Sequence, residues 1–300
     1  MSRVGFVMHP RRTMAVDTAM WLERLLASEG VETVRLPDDD DRPVVGAEGL
    51  DLVVSVGGDG TFLRAAFASS DAGCPVLGVK VGRLGFLTEV EPEGAPDLIR
   101  SVLRGQATIE ERLALTVEPA DAGAAFEPQW GLNEIIVEKH ARHRLVRLAV
   151  HVDGSYVTTF SADGVIVATP TGSTAYSFSA RGPIVSPRVD SLVLTPVAPH
   201  MVFDRSFVLD AGARVSLEVV GEESALLSAD GRGSIELAVG SIVLIRASSR
   251  PARLVRRPGA PGFLKLVREK FDLPGADPGT DPGTDLGAAP ASPGDVGDRG

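Results

Sequence analysis

The sequence predicts an α/β N-terminal domain followed by a β-rich, β-sandwich-like C-terminal domain. Three observations predict this division. Up to residue 103, fully apolar runs alternate with segments of helical periodicity, which is typical of a parallel sheet with helices on both faces. Beyond residue 112, short strand-like segments follow one another, with one helix expected among them. The length of 300 residues is that of about two domains of ~150 residues each.

The N-terminal domain, assigned to residues 1–110, is expected to contain a Rossmann-like layered sheet. Its strands lack polar alternation, which indicates burial on both faces. The first helix has apolar residues at three- and four-residue spacings, and Gly30 follows it at the usual C-terminal stop. The predicted elements are strands at residues 4–8, 31–36, 52–56 and 76–79, and helices at residues 14–28 and 95–103.

The C-terminal domain, assigned to residues 111–250, is expected to consist mostly of antiparallel strands. Residues 144–152 partly alternate polar and apolar side chains, as a half-exposed antiparallel strand does. Residues 251–273 include an amphipathic segment at 263–271 and are expected to pack back on the α/β domain. The predicted strands lie at residues 113–117, 133–137, 145–152, 156–161, 165–168, 192–195, 215–219, 235–239 and 242–245, with a helix near 174–180.

Residues 274–300 are a low-complexity Pro, Gly and Asp segment with almost nothing to bury, so we expect a disordered acidic tail. This tail carries −4 of the formal net charge of −10, which leaves −6 for the rest of the chain. A net charge of this sign argues against a generally basic surface for nucleic acid. It is compatible with a local basic pocket for phosphates.

Neither membrane insertion nor thiol chemistry is expected. The sequence contains no run of about 18 uncharged apolar residues, and its N-terminus lacks the apolar core of a secretion signal. The single cysteine, Cys74, cannot form an intramolecular disulfide and is expected to be a small core side chain. The five histidines show no ligand spacing, and no protein metal site is expected. These features predict a cytoplasmic protein.

The most informative motif is Gly57-Gly-Asp-Gly-Thr61, which follows a buried strand and precedes a helix expected to begin at Phe62. A glycine-rich turn at the carboxyl end of a parallel strand lets the backbone approach a phosphate, and the next helix offers its free N–H groups. Asp59 at the centre of such a turn repels an anion, which suggests a function. The alternative is that Asp59 merely stabilises the turn. The motif matches neither the Walker nor the dinucleotide-binding glycine pattern.

A second stretch leads from Asp163 through an apolar strand into a loop of hydroxyl residues, Thr169-Pro-Thr-Gly-Ser-Thr174. We call residues 169–174 the hydroxyl loop. It supplies small hydrogen-bond donors close to a ligand, with Tyr176 as a stacking or packing face, and Ser173 or Thr174 is suited to cap a short helix. Ordinary turn material has the same composition, so the loop alone leaves both interpretations open.

A third feature is the pair Asn133-Glu134 at the entrance of an apolar strand. Asn and Glu together are able to hold both hydroxyls of a ribose. A polar pair at a turn or at a sheet edge has the same appearance, so the pair is weak evidence by itself.

Together, these stretches resemble the NAD kinase family, whose members phosphorylate the 2′-hydroxyl of the adenosine ribose of NAD to give NADP. The likeness covers most of residues 4–270 and implies the two-domain NAD kinase-like architecture. The most specific part is the block from Asp163 to Pro187, whereas the Gly-Asp motif is shared with lipid kinases and phosphofructokinases. The matching segments are Gly57–Thr61, Gly78–Leu87, Asn133-Glu134, Asp163–Pro187 and Thr195–His200.

The resemblance implies a role for individual positions. Asp59 matches the family's catalytic proton acceptor for the ribose hydroxyl. Asp163 matches an aspartate near the nicotinamide end, and Arg144 aligns with a basic or variable contact. Ala198 falls at a backbone-contact position. The other positions implied to contact the nucleotide are Gly60, Arg64, Asn133, Glu134, Thr174, Ala175, Tyr176, Ser177, Phe178 and Ser179.

For the reaction, the resemblance implies ATP and NAD as small-molecule substrates, with a divalent cation, Mg²⁺, delivered with ATP. A positioned carboxylate that takes the hydroxyl proton contributes ~10²–10⁴ in rate. A homodimer or homotetramer without nucleic-acid or membrane partners is implied as well. ATP against polyphosphate as donor, and NAD against NADH as acceptor, stay open.

Three residues depart from the family pattern and add positive charge in segments expected near the nucleotide. Lys80 stands where Asn is usual, Arg181 where Gly is usual, and Arg232 where Gln is common. Such charges either strengthen phosphate binding or mark an altered substrate. A lipid or sugar kinase with the same Gly-Asp motif and a non-catalytic NAD or NADP-binding regulator are the alternative functions.

Overall fold

The computed structural model describes residues 1–37, 48–82, 85–120 and 125–273. The expected acidic tail lies outside these residues. The strands are β1 (Arg3–Met8), β2 (Glu32–Arg35), β3 (Leu52–Gly57), β4 (Val76–Lys80), β5 (Thr108–Arg112), β6 (Leu115–Pro119), β7 (Gln129–Gly131), β8 (Glu134–Lys139), β9 (Val146–Val152), β10 (Ser155–Ala162), β11 (Gly164–Ala168), β12 (Ser191–Val197), β13 (Phe207–Asp210), β14 (Val215–Val220), β15 (Ala225–Ala229), β16 (Arg232–Leu237), β17 (Ile242–Ala247) and β18 (Ala252–Arg256).

The helices are fewer and lie mainly in the N-terminal part. They are α1 (Thr13–Ser28), α2 (Asp59–Ala72), α3 (Ala95–Leu103), α4 (Tyr176–Ser179) and α5 (Phe263–Lys270), with 3-10 turns at Pro92–Gly94 and Gly172–Thr174. In the described part of the chain, no helix has the length and apolar character needed to span a membrane.

The N-terminal sheet has the strand order β2-β1-β3-β4-β18-β5. Strands β1 to β4 are parallel, as predicted, and β1, β3 and β4 bury their apolar residues on both faces, whereas β2 at the edge is only partly buried. Helices α1 and α3 cover one face, and α2 packs on the other. The sheet thus has the predicted layered α/β arrangement, and it places the carboxyl end of β3 at the start of α2.

Strand β18 joins this sheet from the far end of the chain. It pairs in parallel with β4 and antiparallel with β5. The sequence pattern does not reveal β5, whose only apolar residue is Ile109, or β18, in which arginines stand among the apolar residues. The domain boundaries at residues 110 and 250 remain predictions.

Two antiparallel sheets form the rest of the fold, with the orders β10-β9-β14-β17-β6-β7 and β13-β12-β11-β8-β15-β16. Their inner faces share one apolar core, to which Phe160 of the first sheet and Ile135 of the second contribute. This is the predicted β-sandwich-like domain. The outer face of the second sheet buries Ile166 and Val193 beneath the segment that contains Ala180 and Val185. The Val185 N–H donates to Ser173 Oγ at 2.9 Å, which links this segment to the hydroxyl loop.

One local prediction was wrong, and a second was right in position but not in length. Helix α2 begins at Asp59 rather than at Phe62, because Gly58 is already its extended N-cap and its carbonyl accepts the Phe62 N–H at 3.0 Å. The helix expected near 174–180 is present as α4, but it has only four residues and follows a 3-10 turn. It ends early because Arg181 has a φ of 67° and the Gly182 N–H turns back to the Ser177 carbonyl at 2.7 Å.

Candidate active site

Asp59 is the first residue of α2, and its carboxylate is held by the loop that follows β4. Oδ2 accepts the N–H of Phe86 at 2.9 Å, and Oδ1 accepts the N–H of Leu87 at 3.1 Å. Two backbone donors fix the orientation of the carboxylate and leave other lone pairs for a ligand hydroxyl. The turn interpretation of Asp59 therefore does not account for its side chain, which binds a different segment.

Two glycines make this arrangement sterically possible. A β-carbon at Gly85 would stand 2.0 Å from Asp59 Oδ1, and one at Gly57 would stand 2.7 Å from Thr61 Oγ1. Real β-carbons do not approach other atoms so closely. By contrast, β-carbons at Gly58 and Gly60 would meet open space, so these two glycines leave the outer side of the turn free for a ligand.

The hydroxyl loop packs directly on the Asn133–Glu134 segment. The Thr169 N–H donates to the Asn133 carbonyl at 2.8 Å, and Thr169 Oγ1 donates to the Leu132 carbonyl at 2.6 Å. A β-carbon at Gly172 would stand 2.0 Å from the Asn133 carbonyl oxygen, so only glycine fits there. The structure thus joins the second and third sequence motifs into one unit.

Glu134 is a buried carboxyl group at the centre of this unit. Its side chain is 8% exposed, and its Oε2 has no hydrogen-bond partner among the described residues. Burial, followed by the nearby Asp230 carboxylate, raises the pKa of Glu134 to about 8, against a hydrogen bond from the Tyr176 N–H that lowers it. A buried polar oxygen without a partner is costly unless a ligand supplies one.

Asp163 and Tyr176 lie near one another at the other side of the unit. Asp163 forms an ion pair with Lys139, at 2.5 Å between Oδ1 and Nζ. Burial raises the pKa of the Tyr176 phenol, and the carboxylates of Glu138 and Asp163 raise it further. The Tyr176 side chain is 41% exposed, which leaves its ring face available to a ligand.

Other predicted positions in the 174–179 segment have mixed environments. Ser177 is fully buried, and its hydroxyl hydrogen bonds with Thr195 Oγ1 at 3.1 Å. Thr174 Oγ1 donates to the Thr171 carbonyl at 3.2 Å. Phe178 packs on Phe271, with ring centroids 4.4 Å apart. Ser177 and Phe178 therefore contribute packing within the protein. Ala175 directly precedes Tyr176, and Ser179 is the last residue of α4.

The remaining predicted residues lie on separate elements. Gly60 is exposed on the first turn of α2, and Arg64 is partly buried one turn further along. Arg144 lies before β9, where it forms an ion pair with Glu223 at 2.8 Å. That partner belongs neither to the loop that holds Asp59 nor to the hydroxyl loop. Ala198 is exposed after β12 and has a φ of 43°, which is uncommon for a residue with a β-carbon.

Two of the three departures from the family pattern have their charges engaged within the protein. Lys80 forms an ion pair with Glu91 at 2.9 Å. The Arg232 guanidinium lies over the Phe67 ring at 3.9 Å and donates to the Trp130 carbonyl. The third, Arg181, is exposed and has the left-handed backbone for which glycine is favoured.

A cavity of about 520 Å³ lies beside the site, although Asp59 and Glu134 themselves do not line it. Phe86 and Leu87, whose N–H groups hold Asp59, line it together with Thr171 and Thr174 of the hydroxyl loop. The Arg112 guanidinium, also in its wall, donates to Thr171 Oγ1 at 3.2 Å. The loop after β4, which holds the Asp59 carboxylate, and the hydroxyl loop therefore lie next to each other.

Metal ligation and thiol chemistry find no support in the described residues. Within the described ranges, no group of three or more His, Cys, Asp and Glu side chains is placed to hold a metal ion. Cys74 is buried, and desolvation raises the pKa of its thiol to about 11, so the thiol stays protonated at neutral pH.

Sequence reasoning misses residues that support the site. Gly85, Phe86 and Leu87 belong to a segment that carries the family resemblance, but no local pattern points to their contact with Asp59. Asp230 precedes Gly231 between two strands, and an Asp-Gly pair there signals a hairpin turn. This local turn signal gives no indication of the long-range contacts that the Asp230 carboxylate makes.

Comparisons with known proteins match this chain to NAD kinases. The family model described as the ATP-NAD kinase N-terminal domain matches residues 41–107, and the ATP-NAD kinase C-terminal domain matches residues 132–257. A curated NAD kinase of Nocardia farcinica is 36% identical over 294 residues, covering 89% of this chain and 90% of its own length. Another, of Heliobacterium modesticaldum, is 37% identical over 90% of this chain and 98% of its own.

Solved structures show the same fold. An NAD kinase from Archaeoglobus fulgidus in complex with ATP has a TM-score of 0.70 and 27% identity, covering 90% of this chain and 97% of that one. Yeast NADH kinase complexed with NADH has a TM-score of 0.81 over 92% of this chain and 89% of that one. Because its identity is 24%, this second likeness concerns the fold alone.

Proposed function

The chain belongs to the NAD kinase family, and from this premise we propose that it transfers the γ-phosphoryl group of ATP to the 2′-hydroxyl of the adenosine ribose of NAD. The observation that carries the proposal is the placement of Asp59. Its carboxylate lies at the start of α2, beside a parallel strand end, and two backbone N–H groups orient it. The family disfavours a lipid or sugar kinase, and the intact carboxylate disfavours a non-catalytic regulator.

In the proposed reaction, Asp59 accepts the proton of the 2′-hydroxyl. The ribose oxygen forms a bond to the γ-phosphorus while the bond from that phosphorus to the β,γ-bridging oxygen breaks, and ADP leaves. Because a ribose hydroxyl is a poor nucleophile, removal of its proton by a positioned base contributes ~10²–10⁴ in rate. The N–H groups at the start of α2, beside Gly60, are available to the phosphates of the nucleotide.

Asn133 and Glu134 are proposed to hold the adenosine ribose. With a pKa of about 8, Glu134 is mostly protonated at pH 7 and therefore has an O–H to donate as well as oxygens that accept. Its partnerless Oε2 supports this role, because a ribose hydroxyl supplies the missing hydrogen bond. Tyr176 and Asp163 are proposed to contact the rest of the dinucleotide.

Mg²⁺ is proposed to enter as part of the MgATP substrate. A divalent cation neutralises the triphosphate and needs only one or two protein ligands when phosphates supply the others. An ion carried by the nucleotide therefore requires no metal cluster built from this chain's own side chains. A homodimer or homotetramer in the cytoplasm completes the proposal; light scattering on the purified protein tests the assembly.

The deciding experiment offers several acceptors to the purified chain. ATP and Mg²⁺ are supplied with NAD, NADH, diacylglycerol or a hexose, and product formation is followed by an NADP-specific dehydrogenase or by ADP release. We expect NADP from NAD and no ADP release with the lipid or the hexose. Binding of NAD without NADP formation would instead indicate a regulator. Replacing ATP with polyphosphate in the same assay identifies the donor.

A further inference from the structure

The hairpin between β15 and β16 lies against the Asn133–Glu134 segment and has no role in the proposed chemistry. Its central residues, Asp230 and Gly231, have φ values of 52° and 69°, and Ala229 pairs with Arg232 across the turn. Positive φ at both central positions is the requirement of a type I′ turn, which favours Asp-Gly. The turn explains the residue types, but it does not explain where the Asp230 carboxylate points.

That carboxylate accepts three consecutive backbone N–H groups. Oδ2 accepts from Leu132 at 2.7 Å, and Oδ1 accepts from Asn133 at 2.8 Å and from Glu134 at 3.1 Å. The Asp230 N–H donates back to the Glu134 carbonyl at 3.0 Å. One side chain therefore fixes the backbone at the point where the chain enters β8 and presents Asn133 and Glu134.

Arg232 fastens the same hairpin to the other domain. Its guanidinium lies 3.9 Å from the centroid of the Phe67 ring and donates to the Trp130 carbonyl. Phe67 belongs to α2, the helix whose first residue is Asp59. The hairpin thus contacts both the segment that carries Glu134 and the helix that carries Asp59.

We propose that Asp230 and Arg232 are positioning residues that set the Asn133–Glu134 segment relative to Asp59, and so hold the adenosine ribose in line with the proton acceptor. The inference rests on the proposed roles of Asp59 and Glu134. It assigns the two residues different effects. Asp230 shapes the ribose site itself, so its loss should weaken NAD binding. Arg232 fixes the position of that site relative to α2, so its loss should lower kcat.

Asp230→Asn separates positioning from turn formation. Asn-Gly also favours a type I′ turn, so the hairpin is retained, but the side-chain amide cannot accept all three N–H groups. We expect the KM and the dissociation constant for NAD to rise about 10-fold, the cost of a hydrogen bond left unmade at a buried site. The KM for ATP should stay within about twofold of the unmodified enzyme.

The chain offers a matched control for this variant. Asp153 and Gly154 also have positive φ values, of 49° and 78°, in a two-residue turn between β9 and β10. The Asp153 carboxylate likewise accepts a backbone N–H, that of Arg214 at 2.9 Å. Asp153→Asn is therefore the same change in the same kind of turn outside the site, and it should leave both constants unchanged.

The pH dependence supplies a readout that a structural role alone would not move. Glu134 faces the Asp230 carboxylate and both the N–H and the phenol of Tyr176. Burial raises the pKa of Asp230, whereas Arg232 and the three N–H groups stabilise its charged form. Removing that negative charge lowers the pKa of Glu134. NAD binding should weaken where Glu134 loses the proton that it donates to the ribose. The pH of that change should therefore move below 8 in Asp230→Asn and stay near 8 in Asp153→Asn.

Arg232→Gln and Phe67→Leu test the second contact. Each is expected to lower kcat about 10-fold with a smaller change in the KM for NAD, since a small misplacement of reacting groups costs up to ~10²-fold. The double variant should lose little more than either single one. Arg250→Gln is the control, because Arg250 also joins α2 to the other domain, through Asp71 at 3.0 Å, without touching residues 132–134.

The outcomes keep this inference apart from the proposed function. If the unmodified chain forms no NADP, the proposed function is wrong, while the NAD dissociation constants still report on Asp230. An unchanged dissociation constant for NAD in Asp230→Asn would overturn the role of Asp230. So would a loss of activity that is proportional, in every variant, to the loss of folded protein. A kcat in Arg232→Gln equal to that of Arg250→Gln would overturn the role of Arg232.

Discussion

Gly85 lies so close to Asp59 that a β-carbon at position 85 would stand 2.0 Å from the Asp59 carboxylate oxygen Oδ1. The adjoining N–H groups of Phe86 and Leu87 hold both oxygens of that carboxylate. The absence of a side chain at Gly85 is thus a condition for the orientation of the proposed proton acceptor. Glycine is needed at this position for close approach, not for a turn.

Gly85→Ala should consequently abolish most of the activity. The new methyl group has to displace the Asp59 carboxylate or the loop, so we expect kcat to fall by about 10²-fold or more. Gly262→Ala is the control, because a β-carbon there meets open space. Steady-state kinetics with NAD and a thermal unfolding midpoint are measured for both. Normal turnover in Gly85→Ala would show that the orientation of Asp59 is unimportant.

Asp59→Asn should lose at least ~10² in turnover while still binding NAD, because the amide keeps the shape of the carboxylate but cannot accept the hydroxyl proton. Turnover is followed by NADP formation, and binding by calorimetric titration with NAD. Asp71→Asn, an exposed position at the far end of α2, serves as the control. Near-normal turnover in Asp59→Asn contradicts the proton-acceptor role.

The sequence was sufficient to predict the layered sheet, because buried parallel strands carry unbroken apolar runs. It also predicted the β-rich domain and the segments that supply Asp59, Asn133 and Glu134. Some missed strands have charged or small side chains, such as β5, β15 and β18, whereas β7 and β13 are only three and four residues long. Their pairing is decided by neighbours distant in the chain, and a single-sequence pattern does not contain that information.

The motifs of the candidate site can be picked out from the sequence, but the residues that support them cannot. Asp59 and Glu134 stand in recognisable local patterns, whereas the residues that orient them act across long sequence distances. Asp230 reaches residues 132–134 from nearly a hundred positions away. The raised pKa of Glu134 depends on burial, which only the packed structure determines.

Arg181→Gly should stabilise the protein. Arg181 has a φ of 67°, and a left-handed backbone costs a residue with a β-carbon about 1 kcal/mol relative to glycine. We expect the free energy of unfolding in urea to rise by about that amount. Arg188→Gly, an exposed position in the same loop without a positive φ, should give no such gain. If both variants behave alike, backbone strain at Arg181 is not the cause.

Glu134→Gln should remove a pH-dependent component of stability. The folded-state pKa of Glu134 is about 8, above its ordinary value of 4.5, so the folded chain holds a proton that the unfolded chain releases between these values. Its contribution to stability is therefore complete below pH 4.5 and is lost as the pH rises to about 8. Glutamine mimics the protonated form at every pH.

Urea unfolding at about pH 5 and about pH 8 measures this component. The free energy of unfolding should fall less between these two pH values in Glu134→Gln than in the unmodified protein. Glu222→Gln, at an exposed position, should behave like the unmodified protein. NAD binding in Glu134→Gln should also lose its weakening near pH 8, because the amide keeps a donor and an acceptor toward the ribose. An equal pH dependence in all three proteins would contradict a protonated Glu134 at neutral pH.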